Sequence, residues 1–543
     1  MDKVSRYLAE HLAGEVINDS KIRETYSHDA SILQIKPTAV VYPRSAEDIQ
    51  KITRFSFRLA ERGLKMPITA RGNGTDQTGA AIGEGIIAVF PAHLNHVMEL
   101  DEREQRIRVQ AGMNYKGMED ILSTHRLALP VYPLSYQTST VGGAIANNSS
   151  GEKSVKYGAM RNFVDRLEVV LANGEIIETG RLNKSELSRK KGLPGLEGEI
   201  YRQLDGLISD NEDIIKSVAA RPVSSNVGYA IEKVRHADGS FDLTQLFVGS
   251  QGTLGIITQA ILRAEAAPDS TTLVGFALEG AENIQKVVDI VTPLKPSILD
   301  YVDKTTLDMT AKITGRNPAK IFTEVADPAG IFLIEFDNVN VIKGRKTLRQ
   351  LGQLLTGLGQ IYVADDANDE EKLWSICHST NAIARANFSG KVAVPIIDDA
   401  TVPLEMVGTL VAAAKDLAEK KFVDVAIWGH IGAGSLTVMP FIDLTKLQDR
   451  QNIITMMNRY YSDVLELGGA ISGSKGDGRL RAPFSERQSG EQLSEVFAKV
   501  KEIFDPHGIL NPNVKIGTDV RELITKFRSE YNNHRLSDHQ PRN

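Results

Sequence analysis

Cysteine is almost absent from the sequence, with one residue, Cys377, in 543. A single thiol excludes an internal disulfide, a cysteine-rich zinc site and an iron–sulfur cluster held by four cysteines. Any electron that the protein passes onward therefore needs another carrier. Long apolar runs are absent too, since no stretch approaches the roughly 18 residues that cross a bilayer.

The N-terminal segment mixes acids and bases and has neither the apolar core nor the cleavage site of a signal peptide. A cytoplasmic location is expected, and peripheral contact with the inner face of the membrane stays open. The 63 basic and 69 acidic residues give a net charge of -6 with no long run of either sign, which argues against nucleic acid as a partner. At 42% apolar and 24% charged residues, the composition predicts a well-cored globular protein of roughly two to four domains.

Short apolar runs punctuated by glycine fill the first half of the chain and predict an α+β arrangement. Ile68–Ala70 and Ile86–Phe90 read as strands on either side of a glycine loop. A hairpin is predicted for 167–178, because both positions of its Asn173-Gly174 turn tolerate a positive φ.

Glycine density falls near Ala266–Ser270, where longer units of strand and then helix begin and predict a separate α/β domain. The predicted strands there are Thr272–Leu278 and Ile331–Phe336, and the predicted helices are Ala281–Leu294, Lys343–Leu358, Lys446–Leu467 and Gly490–Phe504. From Thr518 onward the sequence is polar apart from one short helical stretch, and it is expected to form a tail.

Both familiar nucleotide-binding patterns are missing. No Gly-x-Gly-x-x-Gly follows a strand, and Gly473-Ser-Lys475-Gly476 is only a broken phosphate loop. Three glycine-dense loops nevertheless lie in the first half, at Gly72–Gly79, Thr140–Asn147 and Gly249–Gly255. Glycine lets backbone N–H groups converge on an anion, and the second loop is expected to aim a helix N-terminus at it.

An ordered series of motifs resembles the FAD domain of the vanillyl-alcohol oxidase and p-cresol methylhydroxylase (PCMH) family. The motifs are Pro43-Arg-Ser-Ala-Glu-Asp-Ile49, Arg71-Gly-Asn-Gly-Thr75, Pro133 to Thr140-Val-Gly-Gly143, Tyr157-Gly158, Asn173-Gly174 and Gly249-Ser-Gln-Gly-Thr-Leu-Gly-Ile256. The later part resembles the C-terminal domain of the D-lactate dehydrogenase and glycolate oxidase branch. That likeness is carried by Trp374, Val392-Ala-Val-Pro395, Gly429-His430-Ile-Gly432, Ser472-Gly473 and Phe504-Asp-Pro-x-Gly-Ile-Leu-Asn-Pro512.

The resemblance implies an α+β chain with a two-subdomain PCMH-type FAD-binding domain and an α/β C-terminal substrate domain. The expected bounds are an N-terminal helical segment at 1–35, the FAD domain at 36–267, the substrate domain at 268–517 and the polar tail at 518–543. FAD is the implied cofactor, with its pyrophosphate on the first two glycine loops and its ring system between the domains. The implied FAD-binding residues are Arg71, Gly72, Asn73, Gly74, Thr75, Gly79, Pro133, Ser139, Thr140, Gly142, Gly143, Ala146, Asn147, Gly252, Gly255, Ile256, Ile257 and Asn511.

Neither of the two pyrophosphate loops contains a histidine or cysteine, the residues that attach a covalent flavin in the family. The FAD is therefore expected to be non-covalent.

The substrate end departs from the family pattern. The metal-binding branch uses His-x-Gly-Asp-Gly-Asn-x-His and Gly-Glu-His-Gly, and the matching ligand positions here are His430, Thr437, Ser474 and Lys475. One ligand of four survives, and a lysine ammonium repels a divalent ion, so no metal is expected. The family's substrate-binding arginine is replaced by Cys377.

His430, Lys475 and Lys391 are the candidate catalytic residues of a metal-free site; the alternative is a decayed cleft that keeps them for hydrogen bonding or solvation. Arg479 and Arg481 are interpreted as alternating on one face of a strand, in solvent. Trp374 and Cys377 are interpreted as core residues.

The family resemblance implies an FAD-dependent oxidoreductase that moves a hydride from an alcohol or 2-hydroxy acid to the flavin N5 and passes electrons to a separate acceptor. That acceptor is a quinone, a cytochrome, an electron-transfer protein or oxygen. Two alternatives stay open. One is a catalytically silent FAD-binding subunit of a larger oxidase, and the other is a non-redox flavoenzyme resembling the alkyl-glycerone-phosphate synthases.

Overall fold

The computed structural model describes residues 3–219, 223–337, 341–378, 380–383, 387–388, 390–421 and 423–529. The helices in these ranges are α1 (Lys3–His11), α2 (Ser20–Thr25), α3 (Ala46–Glu61), α4 (Tyr115–Thr124), α5 (Val141–Asn147), α6 (Ser154–Tyr157), α7 (Lys184–Lys191), α8 (Gly195–Asp210), α9 (Glu212–Ala219), α10 (Thr244–Phe247), α11 (Ile284–Val291), α12 (Lys304–Thr314), α13 (Val341–Leu354), α14 (Ala367–His378), α15 (Thr380–Ile383), α16 (Val407–Lys421), α17 (Leu447–Glu466), α18 (Ser485–Ser489), α19 (Glu491–Phe504) and α20 (Val520–Thr525).

The strands form three larger sheets and two short pairs. They are β1 (Glu15–Ile17), β2 (Ala39–Tyr42), β3 (Ile68–Arg71), β4 (Ile86–Val89), β5 (Val97–Asp101), β6 (Arg106–Gln110), β7 (Leu127–Ala128), β8 (Val164–Val170), β9 (Ile176–Glu178), β10 (Arg181–Leu182), β11 (Phe241–Asp242), β12 (Ile256–Arg263), β13 (Glu265–Ala266), β14 (Thr271–Leu278), β15 (Ile298–Asp303), β16 (Gly330–Asp337), β17 (Gly359–Val363), β18 (Asn387–Phe388), β19 (Lys391–Ala393), β20 (Ala400–Thr401), β21 (Val425–Gly429) and β22 (Ser435–Ile442).

The first sheet has the order β1-β2-β4-β3, and β2, β4 and β3 run parallel. All four residues of β2 and of β4 are buried, as expected for the central strands of a parallel sheet. Helix α3 packs Ile49 and Ile52 against this sheet. The predicted strands at 68 and 86 are β3 and β4, and the chain between them forms the first glycine loop.

The second sheet is antiparallel, in the order β5-β6-β12-β8-β9. The predicted hairpin joins β8 to β9, and Gly174 has a φ of +83°, where a side chain would be strained. Strand β12 begins directly after the third glycine loop. This sheet therefore ends at the loops predicted to hold the cofactor.

The third sheet runs β17-β14-β16-β15-β21-β22-β19-β18, with β20 also paired to β22. Its described pairings are all antiparallel, and α11, α16 and α17 cover one face through an apolar core. The mixed helix and sheet content agrees with the expected fold class. The boundaries at 35/36 and 267/268 stay predictions.

Part of the expected C-terminal tail packs against the rest of the protein. Phe527 forms a β-bridge with Leu33, Leu523 is 2% exposed, and the Arg528 N–H donates to the carbonyl of Ile32. The structure therefore corrects the prediction for 520–528, whereas 530–543 lie outside the described residues.

Candidate active site

A cavity of about 720 Å³ lies between the first two sheets and the third. All three glycine loops border it on one side, and β15, β21, β22 and the loop at 472–476 border it on the other. Its size is in the range of cofactor and ligand sites. Sixteen of the predicted FAD-binding residues line it.

The other two predicted FAD-binding residues, Gly79 and Asn511, are not among its described lining residues. Asn511 is 1% exposed, and its side-chain amide donates to the carbonyls of Ala80 and Gln251. Asn511 thus braces two loops, and its contact with FAD stays a prediction. Gly79 packs against Leu33, 2.6 Å from where its Cβ would lie, and also has a structural role.

The first glycine loop offers backbone donors to the cavity. Within the described chain, the N–H groups of Gly74, Thr75 and Gln77 donate to no protein acceptor. The Arg71 guanidinium packs beneath the loop, and a Cβ at Gly74 would lie 2.1 Å from its Nη2. Free N–H groups over a buried cation suit an anionic group such as a pyrophosphate.

The second loop approaches the first closely, because a Cβ on Gly72 would lie 2.4 Å from the Thr140 Oγ1. Helix α5 begins at Val141, as predicted, but its first N–H groups are already occupied. Helix α5 has seven residues, and the N–H groups of Val141, Gly142 and Gly143 donate to Met113, Ala111 and Thr140. This segment therefore shapes the cavity by close packing, and its first N–H groups already have acceptors.

His430 follows β21 and borders the cavity opposite the glycine loops. Its Nδ1 lies 3.0 Å from Asp300 Oδ1 and 3.1 Å from Oδ2, and the two side chains are 16% and 7% exposed. Within the described chain, Nε2 has no hydrogen-bond partner. Burial disfavours a charged ring, but the Asp300 carboxylate outweighs it and raises the pKa of His430.

The main-chain fold before His430 requires glycine. Gly429 has a φ of +148°, and a Cβ there would lie 2.7 Å from the carbonyl oxygen of Ser435. The turn that follows is closed by the Ala433 N–H, which donates to the His430 carbonyl. This local geometry brings the imidazole to the end of β21.

Glu152 borders the same cavity from the FAD-binding side and is 3% exposed. Its Oε2 has no hydrogen-bond partner in the described structure. Burial raises the pKa of Glu152, and the nearby His430 and the Tyr132 hydroxyl offset part of that effect. A second acid thus lies near His430.

Lys475 borders the cavity, and its Nζ lies 2.5 Å from Asp398 Oδ2. Asp398 also accepts a hydrogen bond from the fully buried Arg481. Although burial alone would raise it, the two cations hold the pKa of Asp398 below its usual range. The neighbouring Asp399 carboxylate accepts the backbone N–H groups of Gly473, Ser474 and Lys475 and fixes their loop.

The four positions that match the family's metal ligands, His430, Thr437, Ser474 and Lys475, all border the cavity. Within the described residues, no group of three or more His, Cys, Asp or Glu side chains is arranged to hold a metal ion. Lys391 is on β19 and is not among the described cavity residues, so its predicted catalytic role lacks structural support.

Two further predictions concern buried side chains. Cys377 is 6% exposed and borders the cavity, and Trp374 packs against the core of the C-terminal domain. The interpretation of Arg479 and Arg481 as solvated strand residues is wrong. They are 6% and 0% exposed and lie outside any described strand. Their burial is compensated by hydrogen-bond acceptors, which are Gly79 and Asn511 for Arg479 and Asp398 for Arg481.

Sequence reasoning missed Asp300, Glu152 and Asp398. Asp300 is 130 residues from His430, and only the pairing of β15 with β21, with Tyr301 opposite Gly429, brings the two together. Asp398-Asp399 follows the Val392-Ala-Val-Pro395 motif after two isoleucines. Two adjacent acids after a buried strand were the one signal that the sequence offered.

Two family models match the chain, the FAD binding domain over 37–180 and the C-terminal domain of FAD linked oxidases over 267–514. Glycolate oxidase subunit GlcD of Bacillus subtilis is 28% identical over 513 residues, 93% of this chain and 95% of that protein. The D-2-hydroxyglutarate dehydrogenase of Escherichia coli is 28% identical over 530 residues, 92% of this chain and 50% of that protein, so the chain spans about half its length.

Among solved structures, p-cresol methylhydroxylase with substrate bound has a TM-score of 0.66 at 15% identity, covering 96% of this chain and 97% of that one, and shows the same fold. The fold and the glycine-lined cavity define an FAD-binding flavoprotein. The chain belongs to the FAD-linked oxidases, with an FAD binding domain followed by the C-terminal domain of that family. Within its described residues, no helix is both long and apolar enough to cross a bilayer.

Proposed function

We propose that this protein oxidises the carbinol of a 2-hydroxy acid or alcohol. The observation that supports this most directly is the His430–Asp300 pair on the cavity wall. Bound FAD supplies the acceptor for the hydride that leaves the carbinol carbon. The chain's own residues bind the substrate and take the hydroxyl proton. The names of the relatives, a glycolate oxidase subunit and a D-2-hydroxyglutarate dehydrogenase, support a hydroxy acid.

His430 is the proposed proton acceptor. With Nδ1–H donating to Asp300, the lone pair of the neutral ring is on Nε2, which has no protein partner in the described structure. A substrate hydroxyl at hydrogen-bond distance from Nε2 gives up its proton as the carbonyl forms. Asp300 then stabilises the imidazolium, as a buried carboxylate beside a charged ring does.

Lys475 is the proposed electrophile at the substrate oxygen. Its ammonium has three donor hydrogens, and the Asp398 contact uses one of them. The side chain is 26% exposed, so it still borders open space in the cavity. A single positive charge stabilises a developing alkoxide less than a divalent ion does, so slower chemistry or a more acidic hydroxyl is expected.

Several finer parts of the function belong to the same proposal. The FAD is non-covalent, the reaction needs no metal, and a separate quinone, cytochrome, electron-transfer protein or oxygen takes the electrons. The protein works in the cytoplasm or at the inner face of the membrane. The domain division at 267/268 separates cofactor binding from substrate binding.

Anaerobic mixing with a panel of D- and L-2-hydroxy acids, alcohols and polyols tests the proposal. Bleaching of the visible flavin band by at least one member is the expected result. If no member bleaches a flavin that dithionite reduces normally, the proposal fails and a catalytically silent subunit is favoured. Repeating the panel with His430→Asn separates turnover at this site from adventitious reduction.

A further inference from the structure

Glu152 has a buried carboxyl oxygen without a partner beside the proposed proton acceptor. The residue follows α5 on the FAD-binding side, borders the cavity and is 3% exposed. Its Oε2 is the atom left without a hydrogen bond in the described structure. Because an unsatisfied buried acceptor costs free energy, a hydrogen-bond donor on a ligand would stabilise the complex at this position.

The lysine and the arginine that border the described part of the cavity each have a protein partner. Lys475 binds Asp398, and Arg71 packs under the first glycine loop and donates to the Ala81 carbonyl. Cys377, a neutral residue, stands where the family has its substrate-binding arginine. The described wall around His430 therefore presents two acids, Glu152 and Asp300, and one lysine, Lys475, which is paired with Asp398 and assigned to the carbinol oxygen.

This charge pattern favours recognition of hydroxyl groups. A hydroxyl can donate to a carboxyl oxygen or accept from a carboxyl O–H, so it pairs with Glu152 in either protonation state, whereas a substrate carboxylate would be repelled by the ionised form. The carbinol hydroxyl itself is assigned to His430 and Lys475. The partner for Glu152 is then a second hydroxyl, close to the first.

We propose that Glu152 determines specificity by accepting a hydrogen bond from a hydroxyl on the carbon next to the one oxidised, so that the substrate is polyhydroxylated. This inference rests on the proposed oxidation at the same site. A substrate that also carries a carboxylate can still bind, provided that the carboxylate lies away from Glu152. Sugar acids and polyols are the chemical classes that fit.

Two matched pairs of compounds test it with the holoenzyme. D-glycerate and D-lactate differ by one hydroxyl next to the carbinol, as do propane-1,2-diol and propan-2-ol, so hydroxyl and carboxylate effects separate. Dissociation constants come from perturbation of the visible flavin spectrum, and rates come from anaerobic flavin reduction. We expect the hydroxylated member of each pair to bind or react about 10- to 100-fold better in the parent protein.

Glu152→Leu should bring this ratio close to one, and Glu152→Gln should keep part of it because the amide oxygen still accepts. Glu119→Gln, which changes a half-buried acid outside the described cavity lining, is the matched control and should keep the parental ratio. FAD content and melting temperature identify a variant that has not folded.

The inference would be overturned if the hydroxylated and unhydroxylated members of each pair bind and react equally in the parent protein. It would also be overturned if affinity follows only the presence of a carboxylate, or if neither hydroxylated member changes the flavin spectrum at 100 mM. Spectral binding with the expected ratio but without flavin reduction would refute the oxidation proposal and leave the Glu152 assignment supported.

Discussion

His430 and Asp300 face each other across β21 and β15, with Nδ1 3.0 Å from Oδ1 in a setting that exposes only 16% and 7% of the two side chains. The pairing gives the imidazole one fixed orientation and leaves Nε2 on the cavity side. It also links the base to Asp300 on β15 of the third sheet. A proton acceptor held in this way is pre-positioned for substrate.

The pH dependence of flavin reduction should report this pair. Because Asp300 raises the pKa of His430, the neutral ring that accepts a proton predominates only above a pH higher than its usual 6.5. The rate should therefore rise with pH through a midpoint above 6.5. Asp300→Asn removes the charge and should move the midpoint down, while lowering the limiting rate through loss of ring orientation.

Stopped-flow reduction from pH 5.5 to 9 measures both parameters, once a substrate is known. A midpoint unchanged by Asp300→Asn would assign the titration to another group. His430→Asn should abolish this limb of the profile, with FAD content retained.

The sequence predicted the cofactor half of the site better than the substrate half. Gly72 and Gly74 lie in a contiguous loop whose close approach demands glycine, so local pattern is sufficient there. Asp300 was missed because its contact with His430 depends on strand order, which periodicity does not encode. Arg481 was predicted to be solvent-exposed because the alternation of Arg479 and Arg481 indicates a shared face of a strand. That pattern cannot show that the Asp398 carboxylate compensates the burial of Arg481.

Replacing Lys475 by Met should slow flavin reduction about 100-fold or more, with FAD content unchanged. The substitution keeps most of the apolar stem and removes the charge proposed to stabilise the developing alkoxide. Because Asp398 also binds Arg481, it keeps one cationic partner in the variant. Lys446→Met, at an exposed lysine outside the described cavity lining, is the control. If Lys475→Met reduces its flavin at the parental rate, the proposed role of Lys475 is wrong and His430 acts without this cation.

The FAD should be released by acid precipitation, leaving yellow supernatant over a colourless pellet. The reason is the absence of histidine and cysteine from residues 71–79 and 140–147. Free FAD at 100 times its dissociation constant should also stabilise the native state by about 2.7 kcal/mol and raise the melting temperature. Flavin retained in the pellet, or FMN in the supernatant, would contradict the assignment.

Turnover should need no divalent metal, because Thr437, Ser474 and Lys475 occupy three of the four ligand positions. Elemental analysis should find substoichiometric zinc and manganese, and EDTA should leave flavin reduction unchanged. Stoichiometric metal together with EDTA-sensitive reduction would show that other side chains have rebuilt the site. Dialysis against buffer alone is the control for loss of FAD.

The C-terminal segment at 519–528 should strengthen FAD binding through the N-terminal segment that it covers. Arg528 donates from Nη2 to the Asp29 carbonyl, and Phe527 pairs with Leu33, while the Ala30 N–H donates to the carbonyl of Gly74 in the first glycine loop. A chain ending at Gly517 should therefore bind FAD at least about tenfold more weakly, because that loop loses its outer support.

Fluorescence titration of apoprotein with FAD measures the affinity, and the melting temperature of the apoprotein separates loop support from general loss of stability. A chain ending at Ser529 keeps every described contact of the segment and is the control. Arg528→Met tests one contact if the shorter chain does not fold, and it should weaken FAD binding in the same direction. Equal FAD affinity in folded Arg528→Met and parent would mean that the two chain ends stabilise the fold without holding the cofactor loop.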